Sequence, residues 1–444
     1  MFQPIASVSV MAGERTPADG KRLGEQMSKK ICGIFALLAF FGLTLFLINC
    51  GSSSSRPAAL LYVLSQGENN VGSFAIDLGR GKLSLLNKTS PADMTPTSIL
   101  LDPSGTVAYV LNTGSNSITA YTINSDGSLS APSSQPLTVH NSVAIARDVA
   151  GTFLFVVSQG SIPLPQPPPA NNQCGFPPDT NILPEPNSVC PHVSVFAIQP
   201  GSATLTPVGN PVPLKGVPTS VTAAAGPSGT LLYITSDQDL LSVDDDEVSA
   251  FNVDSSGVVT SQTIPSYPTG SVPTGVLAVQ TTPAGGSGGL FVYVANSGSG
   301  SGANSVSIFH VCTQLSATCT SQDVTANNNT LIPVGNPVTV GLNPVAMTVD
   351  PTNNFLYVVN HGSNTISAFR INPSDGTLSA LNPSSVSTGS SPVAIAMHSS
   401  GEFLYVSNNA SSNISGFNVN TTSGALSNAT NVTSSAQPAG LVAK

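Results

Sequence analysis

One phrase of strand, turn and strand recurs seven times along this chain, and it constrains the fold more than any other feature. Its clearest copy runs from Pro344 to Leu378. An apolar strand (Pro344-Val345-Ala346-Met347) leads into the turn Asp350-Pro351-Thr352-Asn353. A second strand carries Tyr357, a third carries Phe369, and Asp375-Gly376-Thr377-Leu378 opens a fourth. Asp then Pro suits the first two positions of a type I turn. Near-duplicates begin at Pro96 and Pro392. Four short strands per copy, spaced by roughly 40–50 residues, are the signature of a β-propeller. The sequence therefore predicts an all-β, seven-bladed β-propeller with four antiparallel strands per blade. A propeller is a scaffold, so activity must come from its loops and central funnel.

Tyr62, Tyr109, Phe155, Tyr233, Tyr293, Tyr357 and Tyr405 mark the second strand of each copy. Phe74, Tyr121, Phe196, Phe251, Phe309, Phe369 and Phe417 mark the third. These aromatics are expected to fill space between blades. The recurrent Asn after the second strand (Asn112, Asn296, Asn360, Asn408) is expected to shape a turn, since Asn tolerates left-handed backbone. The repeats begin at a second strand, Leu60-Leu61-Tyr62-Val63, and end at a first strand, Pro438 to Ala443. The C-terminal segment should thus supply the innermost strand of blade one and leave no open edge at the seam.

The N-terminus reads differently. Residues 1–26 lack periodicity and are expected to lie outside the mature protein. Residues 27–49 join basic Lys29-Lys30 to an apolar run ending at Ile48, which reads as a signal peptide. Cys50, followed by Gly51 and a Ser run, resembles a bacterial lipobox, with Asn49 standing where a small residue is usual. Cys50 is the expected lipidation site, residues 50–58 an anchored linker and 59–444 the propeller. The implied place is the bacterial cell envelope, periplasmic or surface-facing, held to the membrane by the lipid alone.

Only 8% of the 444 residues are charged, and Trp is absent. The first 50 residues hold five of the 13 Lys+Arg and three of the 22 Asp+Glu, leaving eight against 19 and a net of −11. Beyond Lys88 the only cations are Arg147, Lys215, Arg370 and Lys444. Nucleic-acid binding needs many phosphate-facing cations, which this chain cannot supply. Besides Cys32 and Cys50, four cysteines remain. In an exported domain they suggest the disulfides Cys174–Cys190 and Cys312–Cys319. Zinc is the rival reading, but no CxxC pair exists and His192 alone is not enough.

The combined grammar (Pro-x-x-Val, Asp-Pro-x-Gly, Tyr-Val-x-Asn, Ile-Ser-x-Phe, Asp-Gly-x-Leu) resembles the lactonase-like seven-bladed propellers and the related YVTN-repeat propellers over about residues 59–444. Enzymes of that group hydrolyse or form lactones, including 6-phosphogluconolactone. The resemblance implies polar and charged funnel residues such as His, Arg and Glu.

Here the residues expected to border the funnel, one after each opening position, are Thr97, Asn141, Thr219, Thr274, Val345, Val393 and Ala439. None is a titratable group of the kind acid–base hydrolysis needs. No catalytic residue is carried over. The candidate bases are His140, which replaces the Pro opening the third repeat, and His361 in the loop Asn360-His361-Gly362-Ser363. Arg147 is expected at the opposite face. Lys215 is the single basic residue of a funnel-face loop.

Three adjacent copies carry enlarged loops between their second and third strands: Gly160–Pro191, Asp237–Glu247 and Gly298–Asn304. The second holds Asp237, Asp239, Asp244, Asp245, Asp246 and Glu247, where calcium could bind, although the Asp-x-Asp-x-Asp-Gly spacing is missing. No other cofactor is expected. The reading is a monomeric scaffold that takes a protein or small-molecule ligand at the rim of blades three to five, with a lactone hydrolase as the alternative.

Overall fold

The computed structural model describes residues 59–444, apart from 131–136, 140, 161–189, 200, 240–245, 283–287, 300–301, 314–318, 320–328 and 435. The segments 1–26, 27–49 and 50–58, and Cys50 with them, lie outside the described residues. All regular structure among the described residues is strand. It forms seven antiparallel sheets of four strands, with a short extra strand on the fifth, and the chain is a seven-bladed β-propeller.

Each blade runs outward from an inner strand. The inner strands are Pro438–Ala443 for blade one, then Pro96–Leu101, Ser142–Arg147, Gly216–Gly226, Pro273–Gln280, Pro344–Val349 and Pro392–Met397. Blade one is closed as the repeat count requires. Its C-terminal strand pairs with Leu60–Ser65 in the register Leu61↔Ala443, Tyr62↔Val442 and Val63↔Leu441.

The second strand of each blade is a continuous apolar run because both its faces are buried. In Phe153–Ser158 and Phe355–Asn360 every residue is buried. Alternate side chains serve alternate neighbours. Phe153, Phe155 and Val157 join the cluster shared with blade four, whereas Leu154 and Val156 join the one shared with blade two. The buried hydrophobic residues fall into seven clusters, one at each blade–blade interface.

The tyrosines of the second strands fill these interfaces and also reach across them. Tyr62, Tyr293, Tyr357 and Tyr405 donate from their hydroxyls to Gly127, Gly376, Gly424 and Gly81, at 3.2, 2.8, 2.8 and 3.0 Å. Each acceptor lies in the turn between the third and fourth strands of the next blade. Gly424 must be glycine there: its φ is +75°, and a Cβ would stand 2.3 Å from Phe355.

On the other face, a second set of bonds ties blade to blade. The residue preceding the inner strand is left-handed at Thr95, Asn141, Val272, Asn343, Ser391 and Gln437. The N–H groups of Thr95, Asn141, Asn343 and Ser391 donate to the side chains of Asn69, Asn116, Asn304 and Asn364 of the preceding blades, at 2.7–3.0 Å. Those asparagines are themselves left-handed, a conformation that Asn tolerates best among non-glycine residues.

Asn112, Asn296, Asn360 and Asn408 do more than shape turns. All are fully buried at the ends of second strands. Their Nδ2 atoms donate to third-strand side chains, as Asn360 does to Thr365 (3.1 Å) and Ser367 (2.9 Å). A buried amide N–H must find such partners, and Ser, Thr or Asn side chains of the third strand supply them, while the Oδ1 atoms of Asn112 and Asn360 stay unpaired.

Three outcomes follow. Removing residues 438–444 exposes the blade-one edge and strips Leu441 from its cluster, so the truncated chain should lose at least about 3 kcal/mol in denaturant unfolding; equal midpoints would contradict the closure. Tyr357→Phe should cost about 1 kcal/mol. The buried hydroxyls of Tyr109 and Tyr233 have no hydrogen-bond partner, so Tyr109→Phe and Tyr233→Phe should be neutral or stabilising, as Phe155 at the same position of blade three implies.

Candidate functional site

The inner strands surround the funnel, and each bulges at its start. In blade two Pro96 pairs with Asn112 and Ser98 with Leu111, leaving Thr97 unpaired between them. The same slip recurs at Thr219, Thr274, Val345 and Val393, and the C-terminal strand is irregular at Ala439–Gly440. A bulge re-aims the side chain it carries.

Blade three corrects the sequence reading by two residues. Ser142 pairs with Ser158 as Pro96 pairs with Asn112, so Ser142 is the opening position and Val143 the bulged residue. Asn141 instead belongs to the left-handed residues before the strands. It is exposed, and its Nδ2 donates to the Gly160 carbonyl at 2.6 Å. The repeat lacks its opening Pro in this copy, which removed the marker that set the alignment. His140 lies outside the described residues.

The hydroxyls of this ring are committed to the backbone. Thr219 donates to the Pro273 carbonyl at 2.5 Å and Thr274 to the Pro344 carbonyl at 2.6 Å, each reaching the next blade. Thr97 bonds Leu111 within its own blade at 3.4 Å. Val345 packs into the cluster of blades six and seven, and Ala439 is buried between blades one and two. Val393 is half-buried.

Among the described inner strands the single charged side chain is Arg147. It sits at the far end, where its Nε donates to Leu101 of blade two at 2.7 Å and its Nη1 to Asp148 at 3.0 Å. His361 is half-buried, and its backbone N–H donates to Asn343 at 2.8 Å. Among the described residues the funnel wall therefore offers hydroxyls and apolar groups, with no paired acid and base.

The acidic rim segment is shorter than the sequence suggested, because the long hairpin of blade four extends into it. Asp237 and Asp239 are strand residues, opposite Val217 and Gly216. Glu247 begins the third strand opposite Ser236 and Pro268, is buried, and accepts from Ser249 at 3.1 Å. The Asp246 carbonyl accepts from Thr269. Asp244 and Asp245 lie outside the described residues. Among the described acidic residues, no three bring their carboxylates within metal-ligating reach of one another. Cys190 is buried and disulfide-bonded; Cys174 lies outside the described residues.

On the opposite face, where the Asp-Pro turns lie, Cys312 and Cys319 form a disulfide with a Cα–Cα distance of 5.5 Å. His310, on the third strand of blade five, places Nδ1 3.6 Å from the Cys319 Sγ. Burial holds the imidazole below its ordinary pKa. The sequence reading missed this histidine. The signal was His-x-Cys with a second Cys seven residues on.

In the Asp-Pro turn of blade two, Asp102 accepts from the N–H groups of Thr106 and Val107, both at 2.6 Å. Burial raises its pKa, but the bonds from Ser104, Val107 and Thr106 outweigh that and leave it below the usual carboxylate value.

The comparisons agree with this geometry. A family profile for the lactonase, 7-bladed beta-propeller matches residues 54–147 and 330–442. The match covers the regular blades at the two ends of the chain, where the chain resembles the lactonase-like seven-bladed propellers. The intervening stretch, with the enlarged loops of blades three to five, lies outside the match. No protein of curated function matches the sequence significantly.

Among solved structures, a periplasmic gluconolactonase of Pseudomonas aeruginosa aligns at 16% identity and TM-score 0.60, over 86% of this chain and 98% of that one. A putative 6-phosphogluconolactonase of Bacteroides fragilis aligns at 16% and 0.59, over 87% and 98%. A functionally unknown protein of Desulfotomaculum acetoxidans aligns at 15% and 0.55, over 86% and 98%. At these identities the likeness is one of fold.

Stability should fall at both pH extremes. Asp102 binds its proton more weakly folded than unfolded, so its contribution is complete above about pH 4 and lost as pH falls below that. Burial, aided by the charges of Asp102 and Asp93 respectively, pushes Tyr109 and Tyr121 up to about 12. The unfolded phenol ionises near about pH 10, so their contribution is whole below that and vanishes as pH rises through 12. Melting temperature should be flat between about pH 5 and 9, and tyrosinate absorbance should appear together with alkaline unfolding. Tyrosinate formed at pH 10 in a chain that stays folded would contradict this.

Proposed function

We propose that the protein is an exported, envelope-tethered binding scaffold that presents the loops of blades three to five to a protein or small-molecule ligand. The observation that carries the reading is the chemistry of the funnel wall. Its described inner strands hold one charged side chain, Arg147, whose guanidinium is spent on backbone carbonyls at the far end. Hydrolysis of a lactone needs a base near the attacked carbonyl and a group to stabilise the oxyanion. The ring hydroxyls already donate to backbone carbonyls. Binding residues concentrate on loops held by a rigid scaffold, and these three loops depart from the repeat on one rim. The lipobox-like Cys50 supports the tether, and the net of −11 beyond it leaves nucleic acid aside.

The alternative, a lactone hydrolase, is favoured by the family match at both ends of the chain. His140 and His361 are its candidate bases. A panel of sugar and phosphosugar lactones separates the two. The scaffold reading expects hydrolysis no faster than in buffer, and partners recovered by cross-linking to be lost when residues 161–189 are replaced by a short Gly-Ser linker. Turnover that falls at least about tenfold in His140→Ala or His361→Ala, the low end of what general-base catalysis supplies, would overturn it.

A further inference from the structure

We propose that the His310, Cys312 and Cys319 cluster is a redox-gated zinc site: a disulfide when oxidised, and a three-ligand metal centre when reduced. The three side chains bring their donor atoms within 4.8 Å of one another. Both cysteines are buried, at 0% and 1% exposure. Such a grouping of imidazole and two sulfurs is the donor set that zinc prefers.

The distances favour an ion. With Zn–S near 2.3 Å and Zn–N near 2.0–2.1 Å, two ligand atoms on a tetrahedral ion stand about 3.5 Å apart. The His310 Nδ1 to Cys319 Sγ distance is 3.6 Å. That pair is therefore already spaced as ligands of one metal, and only the sulfur–sulfur contact must open. The 5.5 Å Cα–Cα distance lies in the usual disulfide range.

The backbone around the cluster is anchored. His310 pairs with Ile332 and Val311 with Leu331 of the fourth strand, and the Cys312 N–H donates to Thr330 at 2.9 Å. The imidazole stacks on Phe291 at a centroid distance of 5.0 Å, which fixes its plane. The ligands thus project from a paired strand and its immediate continuation.

The chemistry balances with a dithiol reductant. It transfers two electrons and two protons to the sulfur–sulfur bond and becomes a disulfide itself. Zn²⁺ then binds the two thiolates and the neutral imidazole, releasing the two thiol protons to solvent. Three protein ligands leave a fourth position for water. The site would keep Cys319 fastened to the end of the third strand of blade five in both redox states.

The test is zinc titration of the full chain against a chromophoric chelator, before and after dithiol reduction. The reduced protein should gain one tight site that the oxidised protein lacks, and cobalt should give a thiolate charge-transfer band there. His310→Ala, which leaves the disulfide available to fold the oxidised chain, should weaken zinc by at least about tenfold, since even outer-shell partners carry that much. Cys190→Ser should leave the site intact. No zinc uptake on reduction, undiminished affinity in His310→Ala, or loss of the site in Cys190→Ser would each overturn the proposal.

Discussion

The structure depends on the burial of apolar surface between neighbouring blades. There are seven such clusters and each belongs to one interface. Every second strand must therefore be apolar on both faces, with its alternate residues allotted to the two neighbours. The ring must also close, because an unpartnered blade would expose one whole face. The pairing of Leu60–Ser65 with Pro438–Ala443 closes it with residues from opposite ends of the chain. Polar groups then refine what burial establishes. Tyrosine hydroxyls reach turn glycines on one face, and asparagine side chains hold left-handed N–H groups on the other.

This division of labour bears on function. Because the core lies between blades, the centre is lined by the innermost strands alone. Their half-exposed positions are largely Ala, Val, Leu, Met and Thr. The hydroxyls among them stitch one blade to the next through proline carbonyls, so they contribute to the ring before they contribute to any ligand. The proposed scaffold role accordingly assigns recognition to segments that the ring does not need. Blades three to five carry these segments, and the family match skips that part of the chain.

The ring was largely legible in the sequence, because its physical causes are periodic. The Tyr, the Asp-Pro turn and the Asp-Gly turn each occupy fixed places in a repeat, and the displaced start at Leu60 announced the closure. Legibility failed where a copy lost its marker or where burial decided a residue's role. Without an opening Pro, blade three was aligned two residues early, which put Asn141 in a place that belongs to Val143. Asn112 and its equivalents looked like turn residues because composition does not reveal that their amides are sealed between two strands. Asp237 and Glu247 looked like loop residues because nothing local announces that the blade-four hairpin continues past its neighbours' length. His310 was hidden for a similar reason. It reads as one more strand residue until the fold brings Cys319 beside it.

Native-state hydrogen exchange, followed by mass spectrometry, tests the closed ring most directly. The account predicts that amides of the second strands, such as Leu61–Leu64 and Leu356–Val359, and those of Leu441–Ala443 share one opening free energy, that of global unfolding. Exchange of the C-terminal strand through a separate, much less costly opening, with the other blades still protected, would contradict it.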